Sequence, residues 1–149
     1  MEGQTIASIL RHDLHAAPIF KGVYSADTLP VLPETPGAYV VNTDIAGNPG
    51  LHWVTFYFPE NGLPEYFDSF GLKPIDENFT DFIFSSRAKS YKYNTFQLQH
   101  IQSKVCGHYC LFYLLKRSRN QNFEDILNYF SVNTKKNDKK LLYMLNDML

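Results

Sequence analysis

Residues 52–58 read HWVTFYF, a run that is apolar or aromatic at nearly every position. A half-exposed strand alternates apolar and polar residues with period two, so this run fits a central strand covered on both faces. The covering must come from the rest of the chain, and its pattern supplies it. AYVVNT, residues 38–43, is β-branched and aromatic and is expected as a neighbouring strand, joined to the first by the turn residues of DIAGNPG. EYFDSF, residues 65–70, follows PENGLP and is expected to return antiparallel, with Pro59 and Pro64 bracketing the turn.

Helical spacing flanks this group. Ile6, Ile9 and Leu10 follow Thr5, the expected N-cap of a short helix ending before Pro18. FKGVYSADTLPVLPETPG, rich in Gly and Pro, reads as a loop with one turn of helix. Phe79, Phe82 and Ile83 form a helical stripe, SYKYNTFQLQ alternates as a further strand, and the chain is helical from Cys106 onward. FEDILNYF and KKLLYMLNDML are expected as two more helices separated by a polar SVNTKKND loop. Within that region KKNDKK, residues 135–140, is a basic cluster that reads as a solvated helix start. The order is α+β: a small central mixed or antiparallel sheet flanked by helices.

With 149 residues, 44% of them apolar, the chain has room for one core, so residues 1–149 are expected to form a single domain. A formal charge of −1 gives no global drive toward nucleic acid or an anionic membrane. No apolar run approaches the roughly 20 residues that span a bilayer, and the N-terminus lacks a signal-peptide pattern. The expectation is a soluble, intracellular protein. Two cysteines are too few for a secreted disulfide framework and read as free thiols.

Both cysteines lie in QHIQSKVCGHYCLFYLL, residues 99–115. Cys106 follows extended QSKV and precedes Gly107, so it falls where a loop gives way to a helix. A thiolate there meets the positive end of the helix dipole and unpaired N–H groups, which lower its pKa and can hold an oxyanion. Gly107 removes a side chain that would crowd an approaching carbonyl, which makes it a substrate-side candidate. Cys110, one turn further among Tyr109, Leu111 and Phe112, reads as a core residue. A nucleophilic thiol needs a base, and His52 at the start of the central strand is the candidate. A hairpin turn centred near Asn61 brings His52 within about two positions of facing Asp68, close enough for the carboxylate to orient the imidazole. Gln99 and Gln102 both precede the thiol, and either amide can complete an oxyanion hole; spacing does not choose between them.

Taken in order, HW at His52 and Trp53, YFDSFG around Asp68, and Q-x-x-x-S-x-x-C-G over residues 99–107 resemble the adenovirus endopeptidase (adenain) family. This family belongs to the cysteine-protease clan that also holds the SUMO and ubiquitin-like proteases. Proteases of Polinton or Maverick virus-like transposons and related DNA viruses carry the same pattern. GVYSADTLP and VNT-x(6)-GLHW extend the resemblance, which runs from about Gly22 to Leu115. It implies an adenain-like cysteine protease fold and a cysteine endopeptidase with His52 as general base, Asp68 as orienting acid, Cys106 as nucleophile and Gln99 as oxyanion donor. Trp53 and Gly107 are the accompanying substrate-side residues. It further implies a protein or peptide substrate, cleavage beside Gly-containing sites in capsid precursors, and a nuclear or virion location. No cofactor or metal is implied.

Two features depart from the family. Adenain is stimulated by DNA and by a peptide that disulfide-bonds to a cysteine shortly before the oxyanion glutamine. This chain has no cysteine besides Cys106 and Cys110, so no disulfide-linked activating peptide is expected, and its charge gives no support for DNA activation. It is also shorter than adenain at the C-terminus, a compact or truncated version. Rival readings are a deconjugating isopeptidase for a ubiquitin-like modifier and an inactive α+β interaction protein. A zinc site built from Cys106, Cys110, His108 and His100 is disfavoured, because His108 points elsewhere on the helix and no second Cys pair exists.

Overall fold

The computed structural model describes residues 1–47 and 52–149; Asn48 to Leu51, part of the expected DIAGNPG turn and of the GLHW match, lie outside the described residues. Among the described residues five strands form one sheet in the order of the chain: β1 (Phe20–Ser25), β2 (Gly37–Asn42), β3 (Trp53–Phe58), β4 (Glu65–Phe67) and β5 (Lys92–Tyr93). The central β2–β3 and β3–β4 pairs are antiparallel, while the outer β1–β2 and β4–β5 pairs are parallel. The helices are α1 (Gly3–His12), α2 (Glu77–Ser85), α3 (Cys106–Arg117), α4 (Phe123–Leu127) and α5 (Thr134–Met148).

The continuous apolar run does become a strand covered on both sides. Val54, Phe56 and Phe58 of β3 join Tyr39 and Val41 of β2 and Tyr66 of β4 in one cluster, closed by Phe79, Phe82 and Ile83 of α2. Its rings meet edge to face, Phe56 with Phe79 at 5.3 Å and Tyr39 with Phe82 at 5.1 Å between centroids. On the opposite face Ala38, Val40, Tyr57 and Phe67 pack against α1, α3, α4 and α5. Helix α3 lies deepest: from Tyr109 through Leu115 every residue is buried. Each such aromatic or aliphatic side chain contributes about 1.5–3 kcal/mol on leaving water, and this locks α3 against the sheet.

Four expectations are corrected. The segment after Pro18 is not all loop: it contains β1, an edge strand whose pattern is interrupted by Gly22 at φ +129°, where the register with β2 shifts. Pairing with β2 stabilises it where local propensity does not. Helix α1 starts at Gly3, not after Thr5, and its Glu2 cap makes no side-chain bond. Tertiary contact fixes that start, since the Trp53 indole N–H donates to the Met1 carbonyl at 3.0 Å. SYKYNTFQLQ pairs only at Lys92 and Tyr93. Helix α5 begins inside the expected polar loop, capped by Asn133, whose side chain accepts from the Lys136 N–H.

Candidate active site

The β3–β4 register sets Thr55 against Phe67, Phe56 against Tyr66 and Tyr57 against Glu65. Continued past the ladder, it sets position 52 against position 70, and there the Phe70 ring stacks on His52 at 4.6 Å between centroids. Asp68 comes one residue after β4, where the chain turns inward. Its Oδ1 accepts from His52 Nε2 at 2.6 Å and from the Phe70 N–H at 2.8 Å.

The turn after Asp68 is held closely. Gly71 adopts φ +74°, its N–H donates to the Asp68 carbonyl at 2.7 Å, and a Cβ there would lie 2.4 Å from the Phe96 carbonyl. A side chain is therefore excluded twice, by conformation and by space. The Asn94 side chain, buried, accepts from the Asp68 N–H at 3.0 Å and donates to the Asp68 carbonyl at 2.5 Å.

Cys106 is the first residue of α3, and Val105 before it offers no side-chain cap, so no cap occupies the Cys106 N–H. The Trp53 N–H donates to Cys106 Sγ at 3.4 Å. With Nε2 engaged by Asp68, Nδ1 is the His52 nitrogen left for the thiol. Burial works against the imidazolium, but the Asp68 and Cys106 hydrogen bonds outweigh it and raise the His52 pKa from 6.5 to about 9. Burial likewise opposes the thiolate, yet the His52 hydrogen bond, the Trp53 and Gly107 N–H groups and the imidazolium charge bring Cys106 below its ordinary value. The two groups favour the thiolate–imidazolium state in each other.

Gln99 is buried beside them. Its Oε1 accepts from the Ser69 hydroxyl at 2.6 Å and its Nε2 donates to the Ser103 carbonyl at 2.9 Å, which leaves one amide hydrogen uncommitted among the described residues. Gln99, Ser103, His52, Trp53 and Cys106 line one cleft of about 320 Å³. Gln102 is exposed, and its N–H donates to His100 Nδ1. Gly107 faces elsewhere than expected: a Cβ there would meet Ile6 at 3.2 Å, Met1 at 3.3 Å and the Trp53 ring at 3.4 Å, so its small size serves packing of the N-terminal segment. Cys110 is buried in the main cluster, where desolvation pushes its thiol up. Burial and the nearby terminal ammonium lower the His108 pKa, which favours a neutral ring.

Asn94 and Ser69 are contacts that the sequence did not single out. Asn94 sits in an alternating aromatic segment with no local signal for an inward amide. Ser69 lies in the YFDSFG stretch, where no local pattern marks its hydroxyl as a partner for a glutamine 30 residues away.

No family model matches the chain, and no curated protein matches it. Among solved structures it is similar to the ASFV pS273R protease, with a TM-score of 0.50 and 22% identity over 70% of this chain and 43% of that one. The chain therefore spans less than half the length of that protein. The likeness is one of fold: a five-stranded mixed sheet flanked by helices, similar to a cysteine protease fold.

Proposed function

We propose that this chain is a cysteine endopeptidase that cleaves peptide bonds through a thioester. One observation carries the reading: the His52 imidazole, held by the Asp68 carboxylate, lines one cleft with the Cys106 thiol, which stands at a helix N-terminus and accepts from the Trp53 N–H. In this reaction Cys106 Sγ attacks the scissile carbonyl carbon, and the new oxyanion accepts from the Cys106 N–H and from the free hydrogen of Gln99 Nε2. Collapse breaks the C–N bond as the His52 imidazolium gives its proton to the leaving amine. His52 then takes a proton from water, the resulting hydroxide attacks the thioester, and Cys106 leaves as thiolate. Asp68 orients the ring and stabilises its protonated form throughout. Fold likeness to a protease supports a protein or peptide substrate. The resemblance of the site motifs to adenain supports Gly-containing cleavage sites and the adenain-like assignment within its clan.

A peptide library digested by wild type and by Cys106→Ala tests the proposal. New termini are expected only with wild type, and identical products from both would end it. A ubiquitin-like vinyl sulfone probe is expected to label Cys106 poorly, and strong labelling would favour deconjugation.

A further inference from the structure

A second cavity, of about 660 Å³, adjoins the catalytic cleft on the α2 face of the sheet. It shares His52 and Phe70 with the cleft but is lined by neither Cys106 nor Gln99. Its remaining walls are largely apolar: Tyr66, Leu72, Ile75 and Phe79. Leu72 and Ile75 line it and are 63% and 88% exposed, so their aliphatic surface is open to a ligand. Of the charged groups around it, Asp68 is bonded to His52, and the Asp76 carboxylate, which accepts from the Asn78 N–H, stands with Lys73 at the rim.

We infer that this cavity receives a large apolar side chain from the segment of substrate that leaves with the amine, within the first three residues after the scissile bond. The inference rests on the peptidase reading, and the direction follows from the chemistry. The acyl half of the substrate is bound to Cys106 with its oxygen toward Gln99 and the start of α3. The other half takes its proton from His52 and so departs past the imidazole, on the side where the Phe70 ring forms the common wall. An extended chain advances about 3.3 Å per residue with side chains alternating, so a residue or two carries it from the imidazole to the cavity mouth. Burying a Leu, Met or Phe side chain there favours cleavage roughly tenfold over a charged residue.

The test is digestion of a proteome-derived peptide library by wild type, Cys106→Ala, the Leu72→Asp, Ile75→Asp double variant and Ile75→Asp alone, reading residues on both sides of each cut. Wild type is expected to enrich Leu, Ile, Met or Phe at one of the three positions after the cut. The Asp variants are expected to lose that enrichment while keeping the preference before the cut, with melting temperatures reporting that they fold. Cleavage by wild type with no apolar enrichment after the cut, or enrichment that survives in the Asp variants, overturns the cavity assignment alone. Identical products from wild type and Cys106→Ala overturn the peptidase reading and this inference with it.

Discussion

The Asn94 side chain closes on both backbone polar groups of Asp68, accepting from its N–H at 3.0 Å and donating to its carbonyl at 2.5 Å. The carboxylate that meets His52 is thus aimed by an amide 26 residues further along the chain. Asn94→Ala leaves the buried Asp68 N–H without its partner, at a cost of about 1–3 kcal/mol, and releases the turn. The expected outcome is a fall in kcat/KM of roughly tenfold or more together with a shift of the alkaline limb of the pH profile to lower pH. A loss of stability with an unchanged profile would reduce Asn94 to a packing residue. Asn94→Asp, which keeps the acceptor but sets a buried carboxylate against the Asp68 carbonyl, is expected to be no milder.

In the proposed peptidase reaction the acid and alkaline limits have separate owners. Cys106 ionises below its ordinary value of 9.0 and sets the acid limb; His52 loses its proton near pH 9 and sets the alkaline one. Because Asp68 raises the imidazole, Asp68→Asn is expected to move the alkaline limb of kcat/KM to lower pH. Stability follows the same linkage. His52 binds its proton more tightly folded, at about 9, than at its ordinary 6.5, so its contribution is complete below 6.5 and is lost as pH rises through 9. The depressed Cys106 runs the other way, its contribution being lost as pH falls through the folded value. Melting curves of wild type and His52→Ala are therefore expected to draw together as pH is raised from about 6 to about 10.

Ser69 fixes which end of the Gln99 amide faces the cleft. Its hydroxyl donates to Oε1, so the NH₂ end is the one directed at Ser103 and the thiol. Gln99→Ala is expected to lower kcat about a hundredfold with little change in KM, the signature of a donor used in the transition state. Ser69→Ala is expected to produce a smaller loss of the same kind, restored by Ser69→Thr. Steady-state kinetics with kcat and KM resolved separates these from loss of binding.

Behind the cleft, Glu65 of β4 and Arg117 of α3 form a bidentate pair at 2.7 and 3.0 Å, and the Tyr113 hydroxyl donates to the same carboxylate. Only 3% of the Glu65 side chain is exposed. The pair joins the strand that leads to Asp68 to the helix that begins with Cys106. Arg117→Met strands a buried carboxylate and is expected to cost about 3–5 kcal/mol in urea unfolding. Adding Glu65→Met is expected to recover most of it, because a buried pair replaced by apolar groups is often close to neutral.

The sequence showed the elements whose pattern is local and strong. A nearly continuous apolar run at β3, the aromatic stripe of α2 and a hairpin register counted from its turn are all properties of neighbouring residues. What it hid depends on partners far along the chain. KKNDKK reads as solvated, yet Asn137 is buried and donates to the Leu98 carbonyl at 3.0 Å, and Asp138 accepts from the Tyr109 hydroxyl at 2.8 Å. Together they hold the loop carrying Gln99 against α3 and α5. Edge strand β1 was hidden for a related reason: its pairing is to β2, and Gly22 removes the local signal.

Cys110 lies a single helical turn beyond Cys106, 1% exposed and kept protonated by its apolar surroundings. The chain holds no third cysteine. A thiolate activated as Cys106 is oxidises readily to a sulfenic acid, and this fold supplies no accessible sulfur to capture that species as a disulfide. Rescue has to come from a small thiol diffusing into the cleft before a second oxidation makes the damage permanent. On the proposed reaction, the working life of the Cys106 thiolate is then set by the redox poise of its surroundings, independently of how firmly the core is packed.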